Sequence, residues 1–106
     1  MKRPRSIKVG NREYKVIVDP TLQLEDGCVG RGSHEMLEIR LLPRFHTSLL
    51  DEALLHETLH AIDNVYLDDK LHEEDIDALG QGLAQALQSM GIEFEWEKEA
   101  ILEEQK

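Results

Sequence analysis

Two histidines four residues apart flank a glutamate in the segment HETLH, residues 56–60. On an α-helix, side chains at positions i and i+4 lie one above the other, with about 6 Å between their Cβ atoms. One divalent cation can therefore bind both His56 and His60. Glu57 cannot easily bind the same ion, but it can reach a water molecule on that ion. Zinc lowers the pKa of such a water to about 7, and a carboxylate can then take its proton. The pattern predicts two metal ligands and a general base.

A hydrolytic zinc site has a third protein ligand and keeps its fourth position for water. The candidates lie at the start of a second predicted helix. Around that helix, His72 and Glu73 lie on either side of the centre of the apolar stripe, and Glu74 lies nearly opposite. Two antiparallel helices packed on their apolar stripes would bring the Glu73 carboxylate to the histidine pair. We therefore predict Glu73 as the third ligand, with His72 and Glu74 as alternatives and Asp75 as a shorter one.

Further polar side chains could support such a site. Asp63 lies three residues after His60, and Asp77 lies four residues after Glu73. Each could accept the free N–H of a ligating imidazole, and an ordinary solvated carboxylate is the alternative for both. Three other side chains could stabilise the oxyanion of a tetrahedral intermediate, although we expect an ordinary surface or packing role for each. They are His34, His46 and Tyr66.

Strands are predicted before these helices. Residues 7–18, IKVGNREYKVIV, contain two β-rich runs around a Gly-Asn pair, which is typical of a hairpin. We expect a short strand near residues 28–31 and a turn near residues 32–35. Residues 36–41, MLEIRL, alternate apolar and charged side chains as a half-buried or edge strand does. The sequence therefore predicts a small sheet of three or four antiparallel strands.

The apolar period changes from two to 3.6 residues after Pro43. Ser48, with Asp51 three residues later, can cap a helix that continues to about Tyr66. A second helix is expected over about residues 73–90. The predicted apolar stripes are Leu55, Leu59, Ile62 and Tyr66 in the first helix, and Ile76, Leu79, Leu83, Leu87 and Met90 in the second. Residues 92–106 combine strand-like alternation with a helix-favouring end, so their structure stays open.

Composition limits the class of protein. The chain has 106 residues, 41% hydrophobic and 32% charged, which suits a single domain over residues 1–106, with residues 1–5 and about 97–106 as candidate flexible tails. The net charge of −10 disfavours nucleic acid and membranes as partners. Cys28 is the single cysteine, and no run approaches the roughly 20 apolar residues of a membrane span. We expect a cytoplasmic location.

The residues quoted above resemble the zincin metallopeptidases. H-E-x-x-H followed on a second helix by E-x-x-x-D, Glu73 to Asp77, is the gluzincin pattern. HETLHAID followed by LHEEDIDALGQGL is also similar to short zincin-like proteins of phages and prophages, grouped loosely with the ImmA/IrrE-type peptidases. The similarity covers mainly residues 48–88. It implies a minimal zincin fold of class α+β, in which the sheet precedes an HExxH helix and a third-ligand helix. It also implies an edge strand above the metal, here residues 36–41, that could hold an extended peptide by strand addition.

Taken together, these features predict a zinc-dependent metallopeptidase, or a peptidase-like protein, that acts on a peptide or protein substrate. His56, His60 and Glu73 would bind Zn²⁺, and Glu57 would activate water. The alternative is a catalytically inactive interaction or regulatory protein that uses the zincin fold with a structural metal. A metal-dependent nuclease fits the charge poorly. A phage origin, by analogy alone, would suggest a host or phage regulatory protein as the substrate; the oligomeric state is left open.

Overall fold

The computed structural model describes residues 1–22 and 30–103. In chain order it contains strands β1 (Ser6–Val9), β2 (Arg12–Val18), β3 (Gly30–Ser33) and β4 (Glu38–Leu41), followed by helices α1 (Thr47–Tyr66) and α2 (Glu73–Ser89) and a short 3-10 helix (Lys98–Ala100). The four strands form one sheet, and the two helices pack against each other. The predicted α+β class, with a sheet followed by two packed helices, is confirmed.

The sheet is mixed, with strand order β1-β2-β4-β3. The predicted hairpin forms, since β1 and β2 are antiparallel, and β3 and β4 are antiparallel as well. The central pair β2–β4 is parallel, however, with Val16 opposite Ile39. The prediction of an entirely antiparallel sheet is wrong at this pair, because β3 lies at the outer edge and β4 turns back to run beside β2. The predicted strand near residues 28–31 lies partly outside the described residues, and β3 begins at Gly30.

This strand order also decides which strand is an edge. β4 is paired on both sides, and within the described residues β3 is paired only with β4. The expectation that residues 36–41 form the edge strand is therefore wrong. Alternation of apolar and charged residues indicates that one face of a strand is buried. Central and edge strands can both have one buried face, so the pattern does not distinguish them. Any strand addition beside the site has to use β3.

The core lies between the sheet and α1. Alternate residues of β2 and β4 point to the helix and are buried, as are residues of one face of α1. These residues are Tyr14, Val16, Ile39 and Leu41 from the sheet, and Leu50, Ala53, Leu54 and Ala61 from α1. The stripe predicted for α1 is on another face, where Ile62 and Tyr66 are exposed. The prediction was wrong because the face of α1 that packs on the sheet includes two alanines and Glu57, which lower the apparent hydrophobicity of that face.

The N-terminus of α1 also differs from the prediction. His46 occupies the N-cap position, and its side chain makes no capping hydrogen bond. Asp51, expected to belong to a cap, instead accepts hydrogen bonds from the backbone N–H of Phe94 at 3.3 Å and from the indole N–H of Trp96 at 2.7 Å. Burial raises the pKa of the Asp51 carboxyl group. The segment after α2 is thereby tied to the start of α1.

Both segments that the sequence suggests as flexible tails make tertiary contacts. Arg3 is buried, and its guanidinium donates to the carbonyl of Val16 at 2.8 Å and to the carboxylate of Glu97 at 2.7 Å. This pairing lowers the pKa of Glu97. Lys2 forms a parallel bridge with Glu95, and Arg44 forms one with Ile101. These contacts are long-range, so composition near the chain ends could not indicate them.

Candidate metal centre

His56 and His60 lie one turn apart on the side of α1 that faces α2. The centroids of their rings are 4.9 Å apart, and their Nε2 atoms are 3.2 Å apart. α2 comes close to this pair because Gly80 lies against His56. A Cβ atom added to Gly80 would be 3.5 Å from the Cα of His56, which is an ordinary van der Waals contact. The absence of a side chain at position 80 therefore lets the two helices pack closely.

Glu73, the first residue of α2, supplies the third donor. Its carboxylate oxygens lie 2.9 Å from Nε2 of His56 and 3.0 Å from Nε2 of His60. The alternatives are not in this cluster: among the described residues that could hold a metal ion, the structure groups His56, His60 and Glu73. His72 and Asp75 form the capping box that starts α2, with the backbone N–H of His72 donating to Asp75 at 3.2 Å.

Hydrogen bonds alone do not explain the short distances among the side chains of His56, His60 and Glu73, here called the triangle. A neutral or protonated imidazole Nε2–H serves one acceptor, so the two histidines can satisfy their contacts with Glu73 only if both carry a proton on Nε2. Two N–H groups would then face each other across the 3.2 Å between the nitrogens. A cation bound by the lone pairs of the two nitrogens and of the Glu73 carboxylate removes this conflict. Donors bound to one tetrahedral zinc ion at about 2.1 Å lie roughly 3.4 Å apart, so these residues fit such an ion.

Asp77 contacts the other ring nitrogen of His56, Nδ1. Its carboxylate lies 3.1 Å from Nδ1 of His56, four residues after Glu73 on the same face of α2. An Nδ1–H that donates to this carboxylate places the free lone pair on Nε2, where it points at His60 and Glu73. The arrangement is the one that the spacing of Asp77 suggests.

We expect Asp77→Ala to weaken metal binding about 10- to 100-fold, which is the usual cost of removing a carboxylate behind a ligating imidazole. Metal affinity is measured by competition with a chromogenic chelator. Glu74→Ala, which removes an exposed carboxylate from the same turn, is the control and should bind as the unmodified chain does. Equal affinity of the two variants would contradict the assigned role of Asp77.

The structure gives Asp63 a different role from the predicted one. Its buried carboxylate accepts hydrogen bonds from the backbone N–H groups of Lys70 at 3.0 Å and Leu71 at 3.2 Å. Its backbone carbonyl accepts from Leu67 and Asp69. Asp63 therefore fixes the connection between α1 and α2, and with it the position of Glu73. The expectation that it accepts from a ligating imidazole is wrong, because the loop amides occupy its oxygens.

We expect Asp63→Asn to lower the free energy of unfolding by about 2 kcal/mol, because two hydrogen bonds lose their charged acceptor in a buried position. The free energy of unfolding is measured by urea denaturation of metal-free protein. Asp68→Asn is the matched control in the same loop: Asp68 is exposed and has a φ of 58°, which asparagine tolerates well. Similar stabilities for the two variants would show that Asp63 does not fix the loop.

Glu57 lies beside the triangle on the buried face of α1. Oε2 of its carboxylate is 3.9 Å from Nε2 of His56. Burial raises the pKa of Glu57, His56 and His60 oppose this rise, and Glu73 adds to it. The backbone N–H of Gly32 donates to the carboxylate. A buried carboxylate with a raised pKa beside a group of metal donors is suited to accept a proton.

Two glycines of edge strand β3 lie against Glu57. A Cβ atom on Gly30 would lie 2.8 Å from Cδ2 of Leu41 and 3.3 Å from Cγ of Glu57, and one on Gly32 would be in ordinary contact, 3.4 Å from Oε1 of Glu57. The prediction from sequence did not include these glycines in the site. The available signal was G-R-G in a short strand, where alternate positions share one face. The glycines let β3 pass directly over the candidate general base.

No family model matches this chain, and neither a curated protein nor a solved structure matches it. The likeness to zincins therefore depends on the quoted residues alone.

Neither α1 nor α2 has the length and hydropathy that crossing a bilayer requires, and the rest of the described chain contains no other helix that does.

The three candidates for stabilising an oxyanion lie in different places. His46 precedes α1, ten residues before His56, which is about 15 Å along the helix axis. Tyr66 ends α1 and is exposed, with its hydroxyl group near the turn at Gly10. His34 follows β3, and its Nδ1 lies 3.1 Å from the hydroxyl oxygen of buried Tyr14. None of them belongs to the group of candidate metal donors found among the described residues.

Proposed function

We propose that this chain is a zinc-dependent metallopeptidase in which His56, His60 and Glu73 bind the ion and Glu57 is the general base. The observation that carries the proposal is the convergence of two imidazole nitrogens and one carboxylate at 2.9–3.2 Å from one another. Two nitrogen donors and one carboxylate form a donor set of hydrolytic zinc sites. Glu73 is 64% exposed along its side chain, so one side of the centre faces solvent, as a substrate requires.

Each side chain of the site has a separate role in the proposed reaction. When bound, zinc would act as a Lewis acid that polarises the scissile carbonyl and increases the acidity of water. Glu57 accepts a proton from the attacking water and passes it to the leaving amine. Burial raises the pKa of Glu57, which favours the protonated form that this transfer passes through. Gly32 holds the carboxylate through its N–H, and Asp77 holds His56 in the tautomer that presents Nε2.

An extended peptide fits beside β3. This strand is at the edge of the sheet and passes over Glu57 at Gly30 and Gly32. A substrate that added to this edge as a further strand would place its backbone carbonyls next to the general base. We propose a peptide or protein substrate in the cytoplasm, with neither nucleic acid nor a membrane as partner. A host or phage regulatory protein as that substrate rests on analogy.

One observation favours a second candidate, a non-enzymatic interaction protein with a structural metal. α2 buries only Ile76 and Gly80 among its residues, so an ion held between Glu73 and the histidines would attach this helix to α1. Structural zinc sites, however, are usually closed by four protein ligands, and the cluster found among the described residues has three.

The test combines metal content with proteolysis. Protein purified without chelator is analysed for transition metals and incubated with a diverse peptide library, whose products are identified by mass spectrometry. We expect one zinc per chain and cleavage that stops with chelator and returns with zinc. Zinc at one per chain without cleavage of any peptide would support the structural alternative. Absence of a stoichiometric metal would overturn both.

A further inference from the structure

We propose that α2 pairs with α2 of a second copy of this chain, through a stripe formed by the exposed Leu79, Leu83 and Met90 and the half-buried Ala86, here called the α2 seam. Leu79 is 46% exposed, Leu83 41% and Met90 70%. Leu79 and Leu83 are in the middle of a helix that packs on its neighbour, where such values are high for apolar side chains, and Met90 is its C-cap residue. The inference does not depend on metal binding or on peptidase activity.

The seam has the spacing of a helix–helix contact. Its four residues are separated by four, three and four positions, which is the 3.5-residue period of side chains that interlock between two helices. The seam lies about a quarter turn around α2 from the side that faces α1, where Glu73, Ile76 and Gly80 lie. Among the described residues, the contact with α1 therefore leaves the seam uncovered.

The absence of charge along the seam lets a second copy approach there. The chain has 32% charged residues and a net charge of −10, yet residues 78–92, ALGQGLAQALQSMGI, contain none. Two copies of such an acidic protein repel each other across most of their surface. They can approach closely only through an uncharged surface, and α2 provides one. A basic partner would gain more from the acidic surface elsewhere.

Side-chain sizes are also self-complementary in an antiparallel pair. A twofold axis between Leu83 and Ala86 places each Leu83 opposite the partner's Ala86, and each Leu79 opposite the partner's Met90. A large side chain then meets a small one at the centre, as packing of interlocking helices requires. The seam spans about 17 Å of helix, which is short for an interface, so we expect a weak dimer with a dissociation constant in the micromolar range.

The test is sedimentation equilibrium over a concentration series, with chelator present so that metal cannot bridge two chains. We expect the molar mass to rise from 12.2 kDa toward twice that value. The rise should begin at lower protein concentration in high salt, because salt screens the repulsion between acidic copies. A contact between opposite charges would weaken with salt instead.

Leu83→Glu places a carboxylate from each copy at the centre of the seam, and we expect at least a tenfold weaker dimer. Leu102→Glu, at a side chain that is 43% exposed outside α2, is the control and should dimerise normally. Met90→Glu, at the most exposed seam position, is a second variant whose side chain contributes little to folding; circular dichroism checks that all variants fold. A chain that stays at monomer mass throughout, or seam variants that dimerise like the control, would overturn the proposal.

Discussion

Glu57→Gln should abolish peptide hydrolysis while leaving metal binding intact. Glutamine has nearly the same shape as glutamate and can still accept the N–H of Gly32, so the site keeps its packing. The amide has no ability to accept a proton from water near neutral pH. Loss of a positioned general base usually costs about 10²- to 10⁴-fold in rate. We therefore expect the turnover number for any cleaved peptide to fall by that amount, with one zinc per chain retained.

The comparison for this variant is Glu52→Gln, five residues earlier on α1 and outside the cluster of metal donors. It should cleave at the rate of the unmodified chain. Rates are taken under single-turnover conditions on a peptide that the unmodified chain cleaves, and metal is quantified in the same samples. A Glu57→Gln variant that retained full activity would remove Glu57 from the proposed reaction.

A stability measurement adds an independent check on Glu57. Burial raises the pKa of its carboxyl group, so above that raised pKa the folded state must keep an ionised carboxylate in a poorly solvated position. Glutamine removes this cost. In chelator at neutral pH, the Glu57→Gln variant should therefore unfold at a temperature no lower than the unmodified chain. This result is expected when a catalytic residue lowers the stability of the folded protein.

Glu73→Gln should remove most of the metal affinity. Glu73 is the one donor of the cluster that comes from α2, and an amide oxygen is a far weaker zinc ligand than a carboxylate. We expect a loss greater than the 10- to 100-fold typical of residues that only support a ligand. The loss should appear both in competition with a chromogenic chelator and as a smaller rise in melting temperature when zinc is added.

Glu74→Gln is the matched control, since it removes an equal charge from the same turn of α2. It should bind zinc as the unmodified chain does. Because the side chain of Glu73 is 64% exposed, neither variant should change stability in chelator. Equal zinc affinity of Glu73→Gln and Glu74→Gln would mean that the ion uses another third ligand or that the cluster is an ion pair.

Local features of the sequence were sufficient for much of the fold. The Gly-Asn pair predicted the β1–β2 hairpin, and the change of period after Pro43 predicted α1 and α2. The four-residue spacing of His56 and His60, and the position of Glu73 on its helix, predicted the cluster that the structure brings together. Each of these inferences uses residues within a few turns of one another.

Features set by distant contacts could not be predicted. The parallel pairing of β2 with β4, the burial of Arg3 against Glu97 and the role of Asp51 all depend on segments far apart in the chain. The inner face of α1 was misassigned because Glu57 lies on it, so the residue proposed for catalysis disturbed the pattern used to find the core. Asp63 was misassigned because nothing local showed that loop amides would reach it.

The close approach of α2 to α1 has a consequence for recognising similar chains. A Cβ atom at Gly80 would already be in van der Waals contact with His56, and this contact lies seven residues from Glu73. A homologue that kept both histidines and both glutamates but carried leucine at position 80 would pass a motif search, although three further carbons would have to be accommodated where the two helices meet. Candidate members of such a group should therefore be screened for a small residue at this crossing point as well as for the HExxH signature.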